Sequence, residues 1–124
     1  MSVTEIAAFA VEKLSGSATR DGSAVAARLE GTASQRDIDA LEDFLAAVLL
    51  AAQGAHARRV TVDLRQVAYM NSSHFKVLVA WLGRAGKSEP KIAVTLRGNP
   101  SYHWQKRSLD ALKHLAESWV TIES

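Results

Sequence analysis

Cysteine is absent from the 124 residues of this chain, and the absence excludes several classes of protein. Without thiols there is no disulfide framework and no thiolate chemistry, and the cytoplasm is the expected compartment. The four histidines do not stand at ligand spacing from one another. The sequence therefore predicts neither a metal site nor a bound cofactor.

Long hydrophobic runs are also missing. The longest one, 44–52, is far shorter than the roughly 20 residues of a membrane span, so no membrane association is expected. The N-terminus lacks the basic segment of a secretory leader, which again favours the cytoplasm. There is no internal repeat and no proline-rich linker, so we expect one domain spanning residues 1–124.

Charge of either sign is nearly balanced, with a formal net charge of only +2. The small basic excess gathers in the last third of the chain, at Lys87, Lys91, Arg97, Lys106, Arg107 and Lys113. A solvated surface is the favoured interpretation of this excess. A face for nucleic acid or for an acidic partner is the alternative.

The first third of the chain indicates a β-hairpin. A strand is expected around Phe9 and Val11, and the Gly-, Ser- and Thr-rich segment 15–23 predicts a loop or turn centred on Asp21-Gly22. Beyond it, Val25 and every second residue after it are apolar, which is the period of a half-buried strand.

Strands and helices alternate after this hairpin. The patterns predict a helix over 38–52, a strand over 59–64, a helix over 72–82, a strand over 92–96, a helix over 103–115 and a strand over 119–122. Ser34 and Asp37 have capping-box spacing before the first helix, and Gly83 and Gly86 are expected to end the second. Leu109, Leu112 and Leu115 should line the inner face of the third. This order predicts an α/β fold with a mixed, mostly parallel sheet and helices packed on it.

Functional residues of such sheets gather just past the carboxyl ends of the strands. The loop 98–100 is one such place, and the run Asn71-Ser72-Ser73-His74 is the other. Asn and Ser are preferred helix caps, and one of them would suffice for capping. The alternative to capping is that a serine of this run is phosphorylated, because a phosphate at a helix N-terminus meets free amides and a favourable dipole.

Enzyme-like patterns in this region do not hold up. Ser73-His74-Phe75-Lys76 matches the S-x-x-K pattern of penicillin-recognising enzymes, but the chain is too short for that fold and lacks its partner motifs. Ser72 and His74 stand two residues apart on a helix and do not face each other. We therefore expect a protein without enzymatic activity.

The stretch 60–78, VTVDLRQVAYMNSSHFKVL, resembles the signature of STAS domains, the family of bacterial anti-sigma-factor antagonists. That signature is a hydrophobic strand ending in Asp-Leu, then about five residues, then Asp-Ser-Ser-Gly-Leu opening a helix. The segment 104–112, WQKRSLDAL, is similar to a branch of STAS-like bacterial regulators associated with SiaB-like kinases. The resemblance implies a STAS-like single domain.

The resemblance also implies a site and its partners. The first serine of the pair is the usual phosphoacceptor, which is Ser72 here, with Ser73 as the alternate. A serine kinase that also acts as an anti-sigma-factor-like protein would modify it, and a PP2C-type phosphatase would reverse the change. Asn71, Ser72, Ser73, His74 and Lys76 would form the partner-binding surface. Asn71 stands where the family has an acidic residue, and His74 where it has glycine.

The sequence leaves three functions open. The favoured one is a signalling regulator whose protein contacts are switched by phosphorylation. The second keeps the fold as a constitutive scaffold without phosphorylation. The third, and least favoured, is weak nucleic-acid binding through the basic last third of the chain.

Overall fold

A computed structural model describes residues 3–33, 35–115 and 118–123, with only the backbone described for Gln35, Lys113 and Leu115. The strands are β1 (Thr4–Val11), β2 (Leu14–Asp21), β3 (Ala24–Thr32), β4 (Arg59–Tyr69), β5 (Ala93–Arg97) and β6 (Val120–Glu123). The helices are α1 (Ile38–Gly54), preceded by a 3-10 turn over Gln35–Asp37, α2 (Ser72–Lys87) and α3 (His103–Leu115).

The strands form one sheet in the order β1-β2-β3-β4-β5-β6. The first two pairs are antiparallel, and the three that follow are parallel. Each parallel pair is joined through a helix, and right-handed crossovers that all step in one direction place the helices on the same face of the sheet. The predicted α/β fold, with its mixed and mostly parallel sheet, is confirmed.

The N-terminal part differs from the prediction, because it is a three-stranded meander and not a single hairpin. Residues 15–21, predicted as a loop, belong to β2. A glycine is required at position 16 by packing, because a Cβ there would lie 2.5 Å from the Phe9 ring and 2.8 Å from Leu29. The turn at Asp21-Gly22 is confirmed, with Gly22 at a φ of 64°.

Two further boundaries were predicted too short. Strand β4 continues to Tyr69, after a shift of its register with β3 between Arg28 and Glu30. Helix α2 runs through both glycines to Lys87. Gly86 therefore does not end the helix, and its lack of a side chain makes room for the Trp119 indole, which lies 2.4 Å from where a Cβ would be. Ser34 and the side chain of Leu115 lie outside the described residues.

The core lies between the inner face of the sheet and the three helices. Strands β2, β3 and β4 contribute Leu14, Ala18, Val25, Ala27, Leu29, Val60, Val62 and Leu64 to it, all buried. The fully buried Trp81 donates its indole N–H to the Leu45 carbonyl at 2.7 Å and thereby joins α2 to α1. This packing fixes the start of α2 relative to the end of β4.

Candidate functional site

The predicted turn lies where β4 leaves the sheet and α2 begins. Met70 is buried, and Asn71 is the N-cap of α2 in an extended conformation. The Asn71 side-chain oxygen accepts a hydrogen bond from the His74 backbone N–H at 3.0 Å. Asn71 thus supplies the cap alone, and the two serines after it are not needed for that purpose.

Ser72 and Ser73 are the first two residues of α2, and both are exposed. The backbone N–H groups of a first helical turn have no acceptor within the helix and carry its positive partial charge. Lys76 is exposed one turn beyond Ser72, on the same side of the helix, and the first turn of α2 contains no acidic residue. These features favour an anionic group at this position.

His74, predicted at the partner-binding surface, is instead completely buried. Its Nδ1 lies against the Asn71 side-chain oxygen and its Nε2 against a carboxylate oxygen of Asp37. Both ring nitrogens are therefore in contact with oxygen atoms of other side chains. His74 supports the turn from inside and presents no surface to a partner.

Asp37 is the other end of this buried link. The sequence predicted it as part of a capping box, but it stands at the N-cap of α1 without capping the helix through its side chain. It is fully buried and bonds to His74, while Ser34 lies outside the described residues. The capping box with Ser34 stays a prediction, and the Asp37 carboxylate also joins the start of α1 to the start of α2.

Helix α3 holds the end of β4 from its other side. The buried Gln105 donates from Nε2 to the carbonyls of Leu64, at 2.6 Å, and Val67, at 3.0 Å. Trp104 donates its indole N–H to the same Val67 carbonyl at 3.1 Å. These bonds satisfy carbonyls that the irregular stretch of β4 would otherwise leave unpaired.

The second predicted position, the loop 98–100, is connected to the same stretch. Asn99 donates its backbone N–H to Gln105 Oε1 at 2.7 Å and its side-chain amide to the Arg65 carbonyl at 3.2 Å. A pocket of about 240 Å³ beside this loop is lined in part by Gly98, Pro100 and Ile122. The polar groups of Asn99 thus bond to α3 and to β4, and they hold β4 at Arg65, before the turn that contains Ser72.

Asp63 and Arg65 form an ion pair on β4, away from the turn. Two guanidinium nitrogens of Arg65 bond to the carboxylate at 3.0 and 2.8 Å, and the Arg65 backbone N–H also donates to it. The side-chain hydrogen bond from Arg65 is the main reason that the pKa of Asp63 is lowered. The same bond raises the pKa of Arg65.

Sequence reasoning missed two residues of this arrangement. Asp37 was assigned to capping, and Gln105 was noticed only as part of a family-like segment. Nothing in the sequence indicated that either side chain is buried, because the neighbours of both in the chain include several charged residues. Among the described residues, no three His, Asp or Glu side chains are grouped to hold a metal ion.

The family model described as "Mlab, STAS domain" matches residues 14–116. The chain belongs to the STAS domain family. The fold of this STAS domain is also that of an anti-sigma factor antagonist from Mycobacterium paratuberculosis, whose crystal structure gives a TM-score of 0.63 at 18% identity. That match covers 97% of this chain and 86% of the other.

No curated protein matches this STAS domain in sequence. None of the helices in the described part of the chain combines the length and hydrophobicity that a membrane crossing requires. The family assignment confirms the resemblance to STAS domains, while the resemblance of 104–112 to one branch of them stays a prediction. It leaves the role of Ser72 to be inferred from the geometry of the turn.

Proposed function

We propose that this STAS domain is a cytoplasmic, non-enzymatic signalling regulator of the anti-sigma-factor-antagonist type. Its partner would be a serine kinase that doubles as an anti-sigma-factor-like protein, with a PP2C-type phosphatase as antagonist. Phosphorylation of Ser72 would release the partner. The observation that carries this proposal is that Ser72 is exposed at the start of α2 while Asn71, its neighbour, already caps the helix.

A phosphate on Ser72 would change the surface strongly, because it adds about −1.5 to −2 charges. The free amides of the first turn would stabilise it, and Lys76 stands one turn away on the same side. The partner-binding surface would comprise Asn71, Ser72, Ser73 and Lys76. Tyr69, which is 51% exposed just before the turn, adds the aromatic group that protein interfaces favour.

The two departures from the family motif, at His74 and Asn71, are compatible with a kinase approaching Ser72. His74 is buried, so it adds no bulk on the surface that a kinase would approach. Asn71 keeps the capping bond that an acidic residue would make and removes its charge. The acceptor serine would therefore stand in a less acidic setting than in the family motif.

Co-expression with the cognate serine kinase, followed by intact-mass measurement, tests the proposal. We expect one added phosphate on the wild type and on Ser73→Ala, and none on Ser72→Ala. Both variants remove the same hydroxyl from adjacent exposed positions, so they are matched controls. Phosphate on Ser72→Ala but not on Ser73→Ala would transfer the assignment to Ser73, and no phosphate on the wild type would contradict the switch.

Binding measurements distinguish the switch from a constitutive scaffold. If the switch is correct, Ser72→Asp weakens binding of the kinase partner strongly, whereas Ser72→Asn, equal in size but neutral, weakens it little. A scaffold would bind both variants like the wild type. This comparison tests the interaction separately from the kinase reaction.

Nucleic-acid binding through the last third of the chain is not supported by the geometry. Arg97, at the end of β5, bonds to Glu123 at the end of β6. Lys106 and Arg107 are exposed on α3. Lys91 lies over the Trp119 ring at 5.5 Å. These cations lie on separate elements, and the Lys113 side chain is outside the described residues.

A further inference from the structure

The face of the sheet turned away from the helices is largely open. Residues on β2 and β3 that point to this outer face are exposed, including Ser17, Thr19, Ala24, Ala26 and Arg28. Most of them are small or polar, in contrast to the apolar residues that alternate with them. The sequence therefore builds this face for contact with water or with a polar partner.

Strand register arranges the outer side chains into two rows that cross the sheet. One row runs through Ser17, Arg28, Asp63, Arg97 and Glu123, and its last four members alternate in charge. The other runs through Thr19, Ala26, Thr61, Thr95 and Thr121. Neighbouring members of a row are about 5 Å apart, so each row acts as a continuous surface.

The small side chains of the second row leave a trough on this face. One depression of about 300 Å³ lies beside Arg28, Asp63 and Arg97. A second, of about 480 Å³, lies beside His56, Arg58 and Arg59. Both are lined by Ala26 and Thr61, so they join into one trough along β3 and β4. Between Arg59 and Asp63 it runs for about 13 Å, which fits about four residues of extended chain.

The charged side chains at the Asp63 end of the trough are paired with one another or with neighbours. Asp63 is its one carboxylate among the described residues, and Arg65 neutralises it. Arg28 and Arg97 pair with carboxylates beside the trough, Glu30 and Glu123.

The arginines at the other end of the trough are not neutralised in this way. Within the described part of the chain, neither Arg58 nor Arg59 forms an ion pair, and both are exposed. The trough thus has a positively charged end at Arg58 and Arg59 and hydroxyl groups, including those of Thr19 and Thr61, along its length.

We propose that this trough binds an acidic, extended polypeptide segment of a protein partner. The guanidinium groups of Arg58 and Arg59 can each take a carboxylate at one end, and the hydroxyl groups of Thr19 and Thr61 can bond to the backbone of the bound segment along the trough. No Phe, Tyr or Trp side chain among the described residues lines either depression, so the row of large rings on which the bases of single-stranded nucleic acid stack is not provided. The proposal is independent of Ser72, which lies beyond the carboxyl end of β4.

A blocked hexaglutamate peptide is the probe, titrated into ¹⁵N-labelled protein at low salt. We expect shift changes on β2, β3 and β4 around Ala26 and Thr61. Replacing both Arg58 and Arg59 by Glu should weaken binding at least about tenfold. Replacing both Lys106 and Arg107 by Glu makes the same change of charge on α3 and should alter it less than about twofold.

Ala26→Phe tests the shape of the trough separately from its charge. It fills the floor and keeps every arginine, so it should weaken binding as well, while the circular dichroism of each variant confirms folding. Equal losses in the two charge variants, shift changes confined to other surfaces, or unchanged binding by Ala26→Phe would overturn the proposal. Tighter binding of hexathymidylate than of hexaglutamate would overturn the choice of partner.

Discussion

The imidazole of His74 bonds to the carboxylate of Asp37 inside the protein, although 37 residues separate them in the chain. The bond joins the first turn of α2 to the N-cap of α1, and the other ring nitrogen of His74 lies against the side-chain oxygen of Asn71. The two departures from the family-like motif therefore belong together. The turn has a neutral amide at position 71, and the acidic group associated with it lies deeper, at Asp37.

We predict that His74→Gly, which restores the residue of the family motif, destabilises this protein by about 3–5 kcal/mol. The change removes the imidazole from a buried carboxylate and leaves a cavity behind Asn71. Urea denaturation followed by circular dichroism measures the loss. Lys76→Ala, on the exposed side of the same helix, should change the free energy of unfolding by less than about 0.5 kcal/mol. A His74→Gly variant as stable as Lys76→Ala would show that the buried link contributes nothing.

Gln105→Leu should cost about 2–4 kcal/mol, because the new side chain has similar size and cannot bond to the backbone groups of Leu64, Val67 and Asn99. Hydrogen exchange should increase at the end of β4 more than in β2, since the lost bonds act on that strand. Gln105→Glu keeps an acceptor for Asn99 but buries a carboxyl group against the carbonyls of Leu64 and Val67, so it should destabilise the protein at least as much as Gln105→Leu. Uniform exchange throughout the sheet would contradict the bracing role of α3.

The two glycines inside α2 should respond oppositely to alanine. A Cβ at Gly83 meets no atom within 4 Å, so Gly83→Ala should stabilise the protein by about 0.5–1 kcal/mol through helix propensity. At Gly86 the added methyl group meets the Trp119 ring, and Gly86→Ala should cost about 1–3 kcal/mol. Thermal denaturation of both variants measures the two changes in stability relative to the wild type. Similar changes of the same sign would refute the packing of Trp119 on Gly86.

Acid should weaken the Asp63–Arg65 pair in a defined pH range. The pKa of Asp63 is lowered from 3.8 in the folded protein, so the contribution of the pair is complete above the unfolded pKa and is lost as the pH falls through the folded one. We expect the difference in stability between wild type and Asp63→Asn to be constant above about pH 5 and to shrink below about pH 4. NMR titration of the Asp63 carboxyl group measures the pKa directly, and a value above 3.8 would contradict the prediction.

The periodic elements of this protein could be predicted from its sequence, because one face of each carries the apolar pattern. Helix α3 was predicted with both ends correct, and the alternation that starts at Val25 identified β3. Strand β2 was missed because Gly16 and its small neighbours resemble a loop, while their size is set by the Phe9 ring. The length of α2 was missed because the reason for Gly86 lies at Trp119, 33 positions later in the chain.

The turn 71–74 lies after β4 and at the start of α2, as the sequence predicted, whereas the buried contacts that support it were not predicted. Asn71 and the serines obey local rules of helix capping that the sequence contains. The burial of His74 depends on Asp37, and the shape of β4 depends on Gln105; both are contacts between elements far apart in sequence. Local patterns carry no information about such contacts.

The sequential order of the strands has a consequence for how the protein folds. Every hydrogen-bonded pair in the described sheet joins strands that follow one another in the chain, so no pairing has to close a loop longer than one helical crossover. Proteins with such short-range contacts fold faster than those in which distant strands must meet. We expect the sheet to assemble outward from any stable pair of neighbours, and the bond between Asp37 and His74 to form only when α1, β4 and α2 have come together.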